Sequence, residues 1–381
     1  MKARLFLALA GLVLAACVAH RAVSTPEART VGDRVAEWQL AHMDRFDYIR
    51  TFRDQTEGTT SWMQAAFYIG LARWADATGN PAYVAAMLET GEQNDWRPGP
   101  LYWHADDQAI AQLYLHLAEM GFDAPTAAVT DAFDRILANP PDNSLEFRQD
   151  DTGQSEGTCQ RRWCWCDALF MAPPAWARLS NLTGDPKYRN YALEEFFATR
   201  DYLYDDESHL FYRDSRFFER RSEFGNKVFW SRGNGWVFAG LPLLLEALPD
   251  EHEARRDLLL LYREMAAALK DVQRGNGYWA PSLLDVAHDP LPETSGTAFI
   301  TFGLAWGVNR HILPADEYAE AVEKGWAAVA AAVDDHGKPG WVQQVGNAPD
   351  EVRASDTQLY GSGAVLLAAS EMLNIGASRR R

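Results

Sequence analysis

The strongest constraint on the fold is a strict alternation of two kinds of helical segment along the chain. Hydrophobic period and cap residues predict helices over 31–49, 59–78, 81–93, 106–121, 124–139, 166–183, 186–200, 234–248, 251–273, 294–312, 315–333 and 356–374. Every second one is apolar nearly all round. The stretch from Ser295 to Asn309 carries no charged side chain at all. The others are amphipathic: 251–273 sets Glu, Arg and Asp faces against Leu259, Leu260, Leu261, Met265 and Leu269. A helix that is apolar all round is buried, and an amphipathic one lies outside it. Six such pairs predict a closed double ring, six helices inside and six outside.

Loop lengths agree with the ring. Each inner helix passes to the next outer one through a short turn with Gly and Pro punctuation, as in Thr78-Gly-Asn-Pro81 and Thr183-Gly-Asp-Pro186. Each outer helix returns through a longer loop: 50–58, 94–105, 140–165, 201–233, 274–293 and 334–355. In an alternating ring the long loops all fall at one end, together with the N-termini of the six inner helices. Long loops over rigid helices are where function concentrates. No linker interrupts the pattern, so residues 31–376 are expected to form one domain.

The chemistry gathers at that end. In Trp163-Cys-Trp-Cys-Asp-Ala-Leu-Phe-Met171, Asp167 stands alone between aromatic and apolar residues. A carboxyl group walled from water has its charged form disfavoured, which moves its pKa towards the range of a general acid/base. A helix N-cap is the structural alternative, because Asp before an apolar helical run is a common start signal. The same alternative applies to Asp106 and Asp356. Helix N-termini favour an anion at the mouth. Arg232 would add a planar bidentate donor suited to a carboxylate. Trp62, Trp103, Trp163, Trp230 and Trp236 would offer stacking faces for sugar rings. The combination suggests a uronic acid. The Gly233-Asn-Gly235 run is not a phosphate loop, since no Lys-Ser/Thr ending follows and no strand precedes it.

The remaining features set the context. Lys2 and Arg4 precede an apolar run, Leu5 to Ala16, too short to span a bilayer. Its end, Leu14-Ala-Ala-Cys17, resembles a bacterial lipobox. That resemblance implies that residues 1–16 are removed, that Cys17 is lipidated, and that residues 17–30 form a tether. The expected location is the cell envelope, periplasm or outer membrane, with the membrane touched only through the anchor. An oxidising envelope permits a disulfide from Cys159 to Cys164 or to Cys166. The C-x4-C-x-C spacing does not suit zinc, and no metal or organic cofactor is expected. A formal net charge of −17 without a basic tract argues against nucleic acid as a partner.

Four strings then show a family likeness: Trp165-Cys-Asp-Ala-Leu-Phe-Met-Ala-Pro-Pro174, Val228-Phe-Trp-Ser-Arg-Gly-Asn-Gly-Trp236, Glu293-Thr-Ser-Gly-Thr297 with Leu304-Ala-Trp-Gly-Val-Asn309, and Tyr360-Gly-Ser-Gly-Ala364. They resemble the unsaturated rhamnogalacturonyl hydrolases, glycoside hydrolase family 105, and more distantly the unsaturated glucuronyl hydrolases of family 88. The likeness covers about residues 31–376. It implies an all-α (α/α)6 barrel. It also implies removal of a 4,5-unsaturated uronic acid from the non-reducing end of lyase-generated oligosaccharides, by hydration of the enol ether with one Asp as acid and then base. Rhamnogalacturonan fragments are the first expectation, with ulvan- or glucuronan-like fragments as the alternative. Carried over by residue, Asp167 is the acid/base, and Trp230, Arg232 and Trp236 bind the uronate. The second carboxylate is Asp106, with Asp107 left open. His104, Trp62, Trp165 and Tyr360 complete the expected pocket. A family His before the catalytic Asp has no counterpart in 154–159, where Glu156 is the one candidate. For another, His209, Tyr212 and Arg213 all stand in the right region. A glycosidase using Asp167 with a second carboxylate, and a non-catalytic sugar-binding lipoprotein, are the competing readings.

Overall fold

A computed structural model describes residues 25–148, 158–288 and 291–378. Cys17 and the leader, and the 154–156 stretch with Glu156, lie outside them. Among the described residues no helix is long and apolar enough to cross a membrane.

All twelve expected helical positions are helical. The first begins earlier than expected: α1 spans Thr25–Leu40, so residues 25–30, assigned above to the tether, are helix, and turns occupy 41–50. The inner helices are α2 (Trp62–Thr78), α4 and α5 (Ala105–Gln108, Ala111–Glu119), α7 and α8 (Ala168–Met171, Pro173–Thr183), α10 (Ser231–Ala247), α12 (Thr294–Asn309) and α14 (Leu359–Ser378). The outer helices besides α1 are α3 (Pro81–Gln93), α6 (Ala127–Ala138), α9 (Pro186–Leu203), α11 (Ala254–Asp271) and α13 (Ala315–Ala331). Neighbour packing runs α2, α5, α8, α10, α12, α14 and back to α2, which closes the inner ring. The fold is the (α/α)6 barrel. A two-residue antiparallel pair, β1 (Tyr204–Asp205) with β2 (Leu210–Phe211), sits in the long loop after α9.

Local chemistry explains the boundaries. Ser61 caps α2 by accepting from the Gln64 N–H, and Gly79 ends it in the left-handed region at φ 65°. Asn80 caps α3 with Pro81 at its first position, and Asp185 with Pro186 repeats the device for α9. Two expected inner helices are broken. The segment expected at 166–183 divides at Ala172, because Pro173 and Pro174 lack the N–H groups a continuous helix would use. At the break the carbonyls of Phe170 and Met171 accept from Gln112 Nε2 on α5, at 2.8 and 2.9 Å. Ring closure depends on two glycines. A Cβ on Gly70 would lie 2.2 Å from the Gly363 carbonyl oxygen, and one on Gly363 would lie 2.2 Å from that of Ala66. The backbones of α2 and α14 therefore touch.

Candidate active site

The long loops and inner-helix N-termini meet at one end, as expected. The loop before α7 is tied down from several sides. A Cys159–Cys164 disulfide closes it, which settles the alternative left open by spacing, and Cys166 stays a buried thiol. Trp163 takes a left-handed backbone at φ 56°, and its carbonyl accepts from the Thr199 hydroxyl at 2.9 Å. The Cys166 N–H donates to the Arg213 carbonyl at 2.9 Å. Asp167 is thereby presented at the start of α7 with only 8% of its surface exposed. Its carboxyl caps no N–H of that helix. The capping alternative does not apply to it.

Asp167 has a cation and a neutral thiol as its nearest polar neighbours. Arg213 Nε lies 3.5 Å from its Oδ2, and the Cys166 thiol lies 3.5 Å from the same oxygen. Burial raises its pKa, and Arg213 and Arg232 offset part of the rise. Arg213 is the member of the trio His209, Tyr212 and Arg213 that reaches the site. His209 instead contacts the Tyr204 hydroxyl, and the Tyr212 hydroxyl points to Asp205. Arg213 is held by Asp214, which is fully buried and takes Arg213 Nη1 at 2.7 Å and Arg216 Nη2 at 2.8 Å. Burial alone would raise the Asp214 carboxyl, but its arginines outweigh it and keep it below the ordinary range. Asp214 is a site residue that sequence reasoning missed.

His104 and the carboxylates after it have distinct tasks. His104 Nδ1 accepts from the Asp106 N–H at 3.2 Å, so the imidazole is an N-cap. Burial against Trp165, 4.9 Å away between ring centres, pushes it down to about 4 and keeps it neutral. Asp107 accepts from the Leu101 N–H at 3.0 Å and pins the loop. Asp106 accepts no side-chain hydrogen bond among the described residues. Burial and then the neighbouring Asp167 push it up to about 7. Asp106 thus feels the charge of Asp167, whereas Asp107 is engaged with its own loop. Asp356 is elsewhere: fully buried, it forms a bidentate pair with Arg50, both contacts at 2.7 Å.

The aromatic–Arg–aromatic segment differs from expectation. Arg232 is 1% exposed. Its Nη1 and Nη2 donate to the carbonyls of Gln343 and Gln344, at 2.6 and 2.8 Å. The bidentate fork expected for a substrate carboxylate is therefore occupied by the protein's own backbone. The guanidinium lies between the rings of Trp230 and Tyr360, 4.4 and 4.8 Å from their centres, as a buried cation in the floor. Trp230 donates from Nε1 to Gln343 Oε1 at 2.9 Å, and Tyr360 donates to the Gln343 carbonyl at 2.6 Å. Trp236 packs on Phe299 and Phe170 as core. Trp163, Trp165, Trp230, Trp236 and Tyr360 are all buried, while Trp62 and Trp103 keep partly open faces. Trp62 stacks on Tyr360 with centres 5.3 Å apart. Among the described residues no group of three or more His, Cys, Asp or Glu is placed to hold a metal ion. Asp167 thus sits within reach of the charge of Asp106, beside the half-buried Arg213 and the buried Arg232, an arrangement suited to acid/base chemistry.

Comparison with known proteins agrees with this chemistry. A protein named unsaturated 3S-rhamnoglycuronyl hydrolase from Alteromonas sp. (strain LOR) is 47% identical over 357 residues, covering 91% of this chain and 86% of that one. Another of the same name from Formosa agariphila is 36% identical over 322 residues, covering 83% and 85%. A solved glycosyl hydrolase family 88 protein from Bacteroides vulgatus superposes with a TM-score of 0.78 at 28% identity, covering 92% of this chain and 99% of its own. A possible family 105 member from Salmonella enterica serovar Paratyphi A shares the fold at a TM-score of 0.72 and 19% identity, over 92% and 94% of the two chains. The model of the family described as Glycosyl Hydrolase Family 88 matches residues 31–375, so this chain belongs to that family and is a glycosidase.

Proposed function

We propose that this glycosidase removes the 4,5-unsaturated uronic acid from the non-reducing end of sulfated, rhamnose-containing oligosaccharides left by a polysaccharide lyase. The substrate class comes from the two relatives named 3S-rhamnoglycuronyl hydrolases, with 3S read as a sulfate ester on the rhamnose. One observation carries the chemistry: Asp167 is a buried carboxyl that caps nothing and lies 3.5 Å from a guanidinium. Protonated, it delivers its proton to C4 of the enol ether, and positive charge develops at C5 and the ring oxygen. The resulting carboxylate takes a proton from the water that adds at C5. The hemiketal so formed opens and releases the next sugar. One carboxyl acts twice, and Asp106 helps to hold the proton at neutral pH. Arg213 is the cation placed to meet the uronate carboxylate, with Trp62 and Trp103 beside the sugar ring.

The test follows the ultraviolet absorbance of the conjugated double bond in lyase digests of a sulfated rhamnose–uronate polysaccharide and of rhamnogalacturonan. Absorbance should fall as reducing sugar appears, faster on the sulfated digest. Asp167→Asn should keep its thermal transition and lose about 100- to 10,000-fold in turnover. A near-normal rate would remove Asp167 from the mechanism. The Asp106–Asp167 pair supports a second reading, a two-carboxylate glycosidase, which predicts hydrolysis of saturated glycosides with the absorbance unchanged. We further propose that Cys17 is lipidated and ties the enzyme to the cell envelope. Cys17→Ser should abolish incorporation of labelled fatty acid and shift the protein to the soluble fraction.

A further inference from the structure

The segment Arg213-Asp214-Ser215-Arg216 gathers two cations on one buried carboxylate beside Asp167. Asp214 is fully buried and caps the short turn Ser215–Phe217 by accepting from the Arg216 N–H at 3.0 Å. Its Oδ1 also takes Arg216 Nε at 2.9 Å. Its Oδ2 takes Arg216 Nη2 at 2.8 Å and Arg213 Nη1 at 2.7 Å. The Arg216 guanidinium lies 3.9 Å from the Phe147 ring centre, and the Phe147 N–H donates to the Ser215 hydroxyl at 2.8 Å. The loop after α6 therefore braces the same turn. A carboxylate held by a turn and by a ring-stacked arginine cannot follow Arg213; Arg213 has to come to it.

Arg213 is committed at one corner only. Its Nη1 is on Asp214, and among the described residues its Nη2 donates no hydrogen bond. Its Nε is buried without a hydrogen-bond partner and lies 3.5 Å from Asp167 Oδ2, too long for a normal N–H···O bond. Nε and Nη2 form the edge that a guanidinium offers to a carboxylate as a fork. Two carboxylates compete for that edge, Asp167 and the uronate of the substrate. A fork onto Asp167 would lower its pKa by about 1–3 and remove the proton that the acid step needs. A buried donor left unpaired costs free energy, so the edge stays open only because Arg213 is held elsewhere. The other groups around Asp167 do not do this. Asp106 on α4 and Arg232 on α10 act on it through charge, the Cys166 thiol is neutral, and His104, pushed down to about 4, is neutral at the pH of the alkaline limb.

We propose that Asp214 is a positioning residue that withholds Arg213 from Asp167: it anchors the guanidinium by Nη1 and so keeps the Nε/Nη2 edge open for the uronate carboxylate. The assignment rests on Asp167 being the acid, as proposed above. The experiment records pH–rate profiles on an unsaturated lyase disaccharide for the wild type, Asp214→Asn, Arg213→Gln and the double variant. Without its anchor Arg213 forks onto Asp167, so Asp214→Asn should move the alkaline limb down by about one pH unit, a tenfold loss of kcat above it. In the double variant the limb should return to the position of Arg213→Gln alone, because Asp214 acts through Arg213. A limb lowered equally with and without Arg213 would mean that Asp214 acts by its own charge. A limb left in place while the thermal transition drops would mean that it only supports the fold. Either result overturns the proposal and leaves uronate removal intact. If Asp214→Asn does not fold, the free acid is compared with its methyl ester. The wild type should bind the acid with a KM about tenfold lower, the factor expected from one charge-assisted contact, and Arg213→Gln should lose that preference. A wild type indifferent to the ester would overturn the open edge. Asp167→Asn with a near-normal rate would instead overturn the acid, and the proposal with it.

Discussion

Charge sign at the mouth makes opposite predictions for two neighbours of Asp167. The acid step needs a proton on the carboxyl pair, so activity falls as pH rises through the pair's raised pKa. Asp106→Asn removes a negative neighbour, makes ionisation of Asp167 easier, and should move the alkaline limb of the pH–rate profile to lower pH. Arg213→Gln removes a cation that favours the carboxylate, and should move the same limb to higher pH. A stopped pH series with each variant checks both; shifts in the same direction would mean that neither acts through charge on Asp167. At this scale the sequence was informative about residues whose chemistry is local. Asp167 stands alone among apolar neighbours, and the His104-Ala-Asp106 spacing is short enough to read. Arg232 was assigned a substrate fork because nothing in its own segment reveals the carbonyls of residues 343 and 344, more than a hundred positions away. Asp214 was missed for a similar reason. Its task is visible only once Arg213 is seen against a carboxyl 46 positions earlier.

Helices were the most legible layer, because a 3.6-residue apolar period and Gly/Pro punctuation are written in consecutive residues. Where the expectation departed, backbone chemistry decided. The double proline at 173–174 was visible, yet its consequence for the inner helix depends on whether the carbonyls left unpaired at the break find donors. Gln112 supplies them from the neighbouring inner helix, with its side chain 4% exposed. Gln112→Leu should fill the space but leave two buried carbonyls unanswered, destabilising the protein by about 2–4 kcal/mol. Chemical denaturation measures it. Because Asp167 stands at the N-terminus of α7, the same variant should also lower kcat more than it changes KM. A stability loss below about 0.5 kcal/mol would mean that water reaches those carbonyls instead.

Closure of the ring is a property of the whole molecule, and it rests on the contact least visible in sequence, between the second and the last helical segments. Gly70 and Gly363 stand 293 positions apart, and each looks like an unremarkable small residue in an apolar helix. Together they let two backbones meet, so that Trp62 on α2 stacks on Tyr360 on α14 across the seam. Gly363→Ala adds one methyl group where the nearest atom is a carbonyl oxygen at 2.2 Å, and a backbone cannot swing away as a side chain can. Helix propensity favours the alanine by about 1 kcal/mol, so an open helix would gain stability from the change. Overpacking at the seam should reverse that sign and cost about 1–3 kcal/mol. Thermal unfolding gives the sign directly. If the seam also sets the mouth, kcat/KM measured well below the transition should fall with the Trp62–Tyr360 stack displaced. A lower transition with unchanged kinetics would confine the seam to stability, and a raised transition would show that α2 and α14 do not touch there.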